Sequence, residues 1–316
     1  MRNLRAVLFD YLGLFLALAG LIVFFGLSTD HFFTTTTFLT IANQIPDATV
    51  LAVGMTLVLI LGGIDLSVGS VLALSSAALG VCLIQWKLPL AAAVPACLGV
   101  GLLCGLLNGL VTVMWRLPSF IVTLGMLEVA RGATYLITQS QTQYLAGQVD
   151  VLADTQSLGL SPVVIMALLV VVAAQFILSR SVFGRYIIAI GTNEEAVRLS
   201  GVNPKPVKVA VFALCGLLSA LSGLMVAARM GSADPNVGIG NELQAIAAAV
   251  IGGTSLMGGR GSVINSFIGV LIIAVLGAGL AQIGAQDPTK RVVTGCVIVG
   301  AVVLDYYRRR LRNEES

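Results

Sequence analysis

Charge is what this sequence has least of. Asp, Glu, Lys and Arg together make up 10% of the 316 residues, whereas a soluble globular domain carries about a quarter. The apolar set is 57%, an excess that needs a solvent other than water. The net charge of +3, with its basic residues scattered in short gaps between apolar runs, gives no footprint for nucleic acid. Histidine is almost missing too: His31 stands alone, so a His-based metal site or a Ser-His-Asp triad has no second copy to draw on. The five cysteines, Cys82, Cys97, Cys104, Cys215 and Cys296, all lie inside apolar runs and form no CxxC pair. They read as small packing residues rather than disulfides or metal ligands. No G-x-x-x-x-G-K-[ST] occurs, so the chain has no P-loop of its own for ATP. No cofactor, no metal and no catalytic residue is expected.

Apolar runs are what the sequence has in abundance. They fall at about 8 to 27, 47 to 62, 68 to 85, 89 to 114, 118 to 138, 162 to 179, 207 to 229, 242 to 253, 263 to 283 and 289 to 306, bounded by Gly, Pro or charged residues. Roughly 20 apolar residues span a hydrocarbon core of about 30 Å. Backbone groups in lipid must be satisfied internally, and the period-two alternation of a barrel is absent. The reading is therefore an all-α integral membrane protein of about ten transmembrane helices with an internal duplicated core. One membrane domain is expected over 1–316, in approximate halves 1–160 and 161–316. Arg2 and Arg5 before an Ala17-Leu18-Ala19 pattern imitate a signal peptide, but the run continues to about Leu27, and we take it as a retained first helix.

Lys and Arg orient these spans. With the N-terminus inside, Arg2, Arg5, Arg116, Arg180, Arg185, Arg198, Lys205, Lys208, Arg260, Arg308, Arg309, Arg310 and Arg312 are cytoplasmic, 13 of the 18 basic residues. Lys87, Arg131, Arg229, Lys290 and Arg291 remain, the last two sharing an outside loop with Asp287. The loop from Gln139 to Ser161 has Asp150 and Asp154 and no Lys or Arg, as an outside loop should. An even span count puts both termini in the cytoplasm.

The two short runs end alike. Leu61-Gly62-Gly63-Ile64-Asp65-Leu66-Ser67-Val68-Gly69-Ser70-Val71 resembles Ile251-Gly252-Gly253-Thr254-Ser255-Leu256-Met257-Gly258-Gly259-Arg260-Gly261-Ser262-Val263, with two extra residues restoring Gly-Ser-Val. Each copy follows a short apolar run and precedes a full one, as a duplication would give. Consecutive glycines break a helix and allow positive φ and close backbone approach. Such backbone at membrane depth is tolerated only inside protein or beside a water-filled cavity. Gly63, Asp65, Ser67, Gly252, Gly253 and Thr254 are therefore translocation or gate candidates. Asp65 has two readings, a gate or helix-breaking anchor and an N-cap for the helix beginning near Leu66.

Residues 179–208 form the longest polar stretch on the inside. Thr192 and Glu195 stand as a capping box for a short helix through Ser200, with Gly201 at C′ and Pro204 blocking continuation. A rigid charged stub outside the bilayer suits docking to a cytoplasmic partner. Asn43, Gln44 and Asp47, before the second span, offer hydrogen bonds to a polar solute at the outer mouth, or cap and hydrate a loop. Glu128 and Arg131, three apart, can share a helix face as an ion pair. Gly101, Gly105 and Gly109, four apart, let a neighbouring helix approach closely, within the chain or across a dimer.

The segment Phe183-Gly184-Arg185-Tyr186-Ile187-Ile188-Ala189-Ile190-Gly191-Thr192-Asn193-Glu194-Glu195-Ala196-Val197-Arg198-Leu199-Ser200-Gly201-Val202 resembles the coupling loop of ribose-type permeases of ATP-binding cassette importers. So do Ala52-Val53-Gly54-Met55-Thr56-Leu57-Val58, Gly63-Ile64-Asp65-Leu66-Ser67-Val68-Gly69-Ser70 and the run from Ala245 to Leu256, and Arg260-Gly261 keeps the basic residue and glycine that usually follow. The resemblance covers essentially the whole chain. It implies a permease in the bacterial cytoplasmic membrane, working as a homo- or heterodimer. The permease receives sugar from a periplasmic binding protein and is driven by a cytoplasmic ATP-binding subunit that grips the coupling loop. Gly191, Asn193, Glu194, Glu195, Arg198 and Gly201 are then the coupling residues, and ribose is the first sugar to test. A permease for branched-chain amino acids is a rival within the same machinery, against which the Gly-Ile-Asp-Leu-Ser run speaks. An ion-coupled secondary transporter would want ionisable groups deep in several spans, and Asp65 with Glu128 and Arg131 supplies few. If the missing P-loop means that a partner supplies the energy, the purified chain in liposomes should release no phosphate from ATP, and measurable turnover would overturn that.

Overall fold

A computed structural model describes residues 4–145, 147–154, 159–286, 288–297, 299, 300 and 303, with backbone only for 4–11. Arg2, the Arg5 side chain, Asp287, Arg308, Arg309, Arg310, Arg312 and the end of the run at 289–306 lie outside the described residues. The order is α1 (Leu4–Ser28), α2 (Thr35–Gln44), α3 (Pro46–Ile60), α4 (Val68–Gly80) with a π turn (Val81–Gln85), α5 (Leu90–Met114) and α6 (Ser119–Thr138). Then come β1 (Gln143–Tyr144), α7 (Asp150–Ala153), α8 (Pro162–Arg180), α9 (Val182–Leu199), α10 (Pro204–Met230), β2 (Ser232–Ala233), α11 (Asn241–Ile251) and α12 (Val263–Gln282). Helical backbone resumes at 288.

Among the described residues, six helices are long and apolar enough to cross a membrane, or seven if α2 and α3, bent by 47° where Pro46 takes the first helical position, form one span. The expected ten is not reached on that measure. α11 has 11 residues, about 16 Å of helix against a core of about 30 Å. For α1 the described side chains begin at Leu12, and the last run is only partly described. Where both exist, the apolar runs and the helices agree to within a few residues, because each run is bounded by a helix breaker. The sequence reading missed α2, whose Thr34 cap accepts from Thr37 N and whose apolar positions are few. It also missed the small antiparallel pairing of β1 with β2, Gln143 opposite Ala233, which ties the loop after α6 to the end of α10.

α10 is the hub. It packs most extensively on α5, then on α3 and α4, so helices from the two halves of the sequence interleave. Small residues make this possible. A Cβ on Gly101 would strike the Gly216 carbonyl, one on Gly105 the Phe212 carbonyl, and one on Gly109 would lie 2.8 Å from Val209 Cα. The spacing of four therefore serves packing within the chain, α5 against α10. α3 is buried almost throughout, as a helix apolar on every side should be. α5, α6 and α8 turn residues such as Leu103, Leu107, Val129, Leu136, Val172 and Phe176 outward, a face suited to lipid. Cys82, Cys97, Cys104 and Cys215 are free and buried as packing residues, while Cys296 is exposed. His31 is exposed.

Forcing α5 and α10 apart tests this core. Gly105→Leu overpacks their closest approach and should cost about 1–3 kcal/mol, measured as a lower thermal midpoint of the detergent-solubilised protein. Gly125→Leu on α6, where a Cβ would meet nothing within 4 Å, is the control that should leave the midpoint in place.

Candidate functional site

Both short helices end in the same way. Gly62 N donates to Leu59 O at 2.9 Å and Gly63 N to Val58 O at 2.9 Å. In the second copy Gly253 N donates to Val250 O at 2.8 Å and Thr254 N to Ala249 O at 2.9 Å. Each is a Schellman ending, with the glycine at φ 87 or φ 81 in the left-handed position. The geometry thus pairs Gly62-Gly63 with Gly253-Thr254, one residue away from the pairing of the two Gly-Gly steps in the sequence. The restored Gly-Ser-Val shifts as well: Ser67 and Ser262 are the residues before the following helices, so Ser67-Val68 corresponds to Ser262-Val263, and Gly69-Ser70-Val71 lies inside α4. String similarity rewards identical letters, whereas hydrogen bonding counts from the helix end.

The two turns touch, and α9 touches both. Gly259 N donates to the terminal carbonyl of α3, Ile60 O, at 2.8 Å. Gly191 lies against that joint: a Cβ there would collide with Ile60 O and come within 2.7 Å of Gly259 N. Across it, a Cβ on Gly258 would lie 2.6 Å from Gly191 O and 3.0 Å from Gly62 Cα. Only residues without side chains permit this approach, so Gly62, Gly191, Gly258 and Gly259 form one backbone joint. Gly258 and Gly259 belong to the quoted repeat but were not singled out from sequence.

The first turn is pinned by buried polar groups. Asp65 is 1% exposed. Its Oδ1 accepts from Ser67 N at 2.9 Å and from Ser67 Oγ at 2.6 Å, and Asn108 Nδ2 of α5 donates to Ser67 Oγ at 2.9 Å. Ile64 N donates to Ser119 Oγ and Leu66 N to Thr123 Oγ1, both on α6. Of the two readings of Asp65 the geometry carries an anchor closing a turn two residues wide. The residue before α4 is Ser67, and its side chain does not cap. Gly63 sits 3.1 Å, by its would-be Cβ, from Phe212 of α10.

The second turn is fastened differently. Thr254 Oγ1 lies 3.3 Å from Ser266 Oγ, which accepts from Thr56 Oγ1 of α3 at 2.8 Å. Gln175 of α8 accepts from Val263 N at 2.9 Å at the head of α12. Gly252 is pressed on Asn265 O of α12, 2.5 Å from a would-be Cβ. Asn108, Ser119, Thr123, Gln175 and Ser266 went unremarked in the sequence. The signal for Asn108 and Gln175 is a carboxamide inside an apolar run.

The polar stub holds, with one correction. α9 starts at Val182 and breaks at Asn193, which has φ −161 and ψ 97. Asn193 Oδ1, not Thr192, accepts from Ala196 N at 2.9 Å, while Thr192 Oγ1 donates back to Ile188 O. Glu195 pairs with Arg198 at 2.6 Å rather than closing a capping box, and Glu194 with Lys208 at 2.9 Å. The Glu195 carboxylate raises the Arg198 pKa through that hydrogen bond. Gly201 does end the helix, at φ 86, with Val202 N bonded to Val197 O. Pro204 opens α10 at its first position.

At the other end, Asn43 latches a loop: its Nδ2 donates to Gly159 O and its Oδ1 accepts from Ser161 N. Asp47 is buried and bonded to Arg229 at 3.3 Å. Gln44 is exposed and lines a cavity of about 530 Å³ with Asn241 and Gln244 of α11. Arg131 donates to Pro235 O and Val237 O instead of bonding to Glu128, because those carbonyls lie within its reach.

A family described as the permease component of the branched-chain amino acid transport system matches residues 37–302. The chain is 40% identical to the ribose import permease protein RbsC of Haemophilus influenzae, covering 93% of this chain and 92% of that one. It is 34% identical to the fructose import permease protein FrcC of Rhizobium meliloti, over 92% and 84%. With the D-allose transport system permease protein AlsC of Escherichia coli it shares 35%, over 95% and 93%. No solved structure matches the chain.

The anchor reading of Asp65 separates acceptor from charge. Asp65→Ala strands the Ser67 amide and hydroxyl, a loss of about 1–3 kcal/mol. Asp65→Asn keeps an acceptor oxygen and should lower the thermal midpoint less. Equal losses would show that the charge, not the hydrogen bonds, holds the turn.

Proposed function

This chain belongs to the permease family of ATP-binding cassette importers, and from that premise we propose that it carries a monosaccharide, ribose first to be tested, across the bacterial cytoplasmic membrane. The ribose, fructose and allose permeases similar to it over more than nine-tenths of this chain support a sugar. The chain is a transport component rather than an enzyme. The ATP-binding subunit, a periplasmic sugar-binding protein and a second permease copy, identical or related, complete the importer. Both termini lie in the cytoplasm in this reading, as does the stub.

The observation that carries the mechanism is the backbone joint at Gly191. The ATPase grips the exposed stub through Glu194, Glu195 and Arg198. Displacement of the stub passes along α9, and because Gly191 touches the Ile60 carbonyl and both glycine turns, one motion reaches α3 and the α11–α12 turn together. Asn193, already off helical geometry, and Gly201 mark the ends of the rigid piece. Gly63, Asp65, Ser67, Gly252, Gly253 and Thr254 belong to the turns that this motion reorients, and no covalent step is required of them. On the outer side Gln44 supplies a hydrogen-bonding group to the cavity it lines, whereas Asn43 holds the wall in place.

Gly191→Ala drives a methyl group into this joint. In cells holding the ATPase and the binding protein, labelled ribose uptake should fall at least tenfold, roughly 1.4 kcal/mol or more of coupling lost, while membrane accumulation and ATPase co-purification persist. Normal uptake by the variant would sink the joint as a transmission point. Uptake that unlabelled leucine, but not ribose, competes away would replace the sugar with a branched-chain amino acid.

A further inference from the structure

A second cavity, of about 880 Å³, opens between the end of α5, the stub and the start of α10. Arg116, Arg198, Lys205 and Lys208 line it against Glu194 and Glu195, leaving an excess of two positive charges. The carboxylates are already engaged by Arg198 and Lys208, and among the described residues neither Arg116 nor Lys205 has an ion-pair partner. The first turn of α10 enters the same space at Asn203, Pro204 and Lys205, adding the positive end of a 27-residue helix. Thr112 on the wall is 6% exposed, and its buried Oγ1 has no hydrogen-bond partner.

The cavity sits where a membrane span ends. Leu117 on its wall exposes 43% of its surface, and Met114 and Trp115 at the same helix end expose 67% and 64%; a tryptophan at a span terminus belongs at headgroup level. Basic recesses between spans at that depth bind anionic headgroups. We propose that this cavity holds the phosphate headgroup of an anionic phospholipid, with Arg116 and Lys205 on the phosphate, Thr112 Oγ as donor and the acyl chains leaving past Leu117 along the exposed helix end. A soluble phosphate would use the same cations but gain nothing from the exposed apolar rim. The site rests on the chain lying in a membrane and not on the sugar reading; Glu194, Glu195 and Arg198 on its stub side are the residues given to the ATPase grip, so of the cations Arg116 and Lys205 alone are placed on the phosphate.

Native mass spectrometry of the detergent-solubilised full chain tests it, with phosphatidylglycerol, phosphatidylcholine, inorganic phosphate and glycerol phosphate as separate probes. Phosphatidylglycerol should bind one per chain, more tightly than phosphatidylcholine. Arg116→Gln with Lys205→Gln should weaken it roughly thirtyfold at about 1 kcal/mol per cation, and Thr112→Val about fivefold. Retention unchanged in the double variant overturns the site. Equal binding of inorganic or glycerol phosphate overturns the lipid as occupant. If the double variant loses ATPase co-purification but keeps its lipid, the cavity houses the partner and the proposal fails.

Discussion

The carbonyl of Ile60 is the group on which the rest of the arrangement depends. It ends α3, has no partner within its own helix, and faces an interior where an unpaired polar group costs several kcal/mol. Gly259 N supplies the missing bond from the other copy of the repeat, so satisfying one helix end joins the two copies. Gly191 can approach the same oxygen only because it has no side chain. A requirement of backbone chemistry therefore brings together three segments from distant parts of the chain.

Around this joint the protein uses its few interior polar groups as fasteners. Asp65, Ser67, Asn108, Ser119 and Thr123 hold the first turn to α5 and α6, and Thr56, Thr254 and Ser266 hold the second to α3. Each such bond between membrane helices is worth only about 0.6 kcal/mol, so none alone secures the fold. Their effect is to fix which turn meets which helix, while the glycine contacts of α5 and α10 supply close packing. The two turns are fastened by different residues, so they are alike in backbone and unlike in surroundings.

That asymmetry bears on the proposed transport cycle. The first turn is held through a buried carboxylate and two serine or threonine hydroxyls of α6, the second through a shared hydroxyl pair and the Gln175 cap on α12. In the proposed cycle, a displacement arriving through Gly191 would meet different bonds on the two sides. The stub is a braced piece: Asn193 starts a separate helical segment, two ion pairs hold it, and Gly201 stops it.

What the sequence alone determined was the membrane as solvent, the places where helices stop, the repeat and the stub. Each of these is written locally, in runs of apolar residues, in Gly and Pro, and in capping side chains within a turn of one another. Local chemistry left a one-residue ambiguity wherever two residues could do the same work, as with Thr192 and Asn193 at the cap, or Gly252 and Gly253 at the helix end. Only the tertiary structure decided which glycine takes the left-handed position, that Arg131 serves backbone carbonyls rather than Glu128, and that the glycine stripe of α5 packs on α10. It also turned Gly191 from a member of the stub into the contact between stub and turns. That assignment could not be read from spacing, because a glycine chosen for lack of volume leaves no mark of what fills the space.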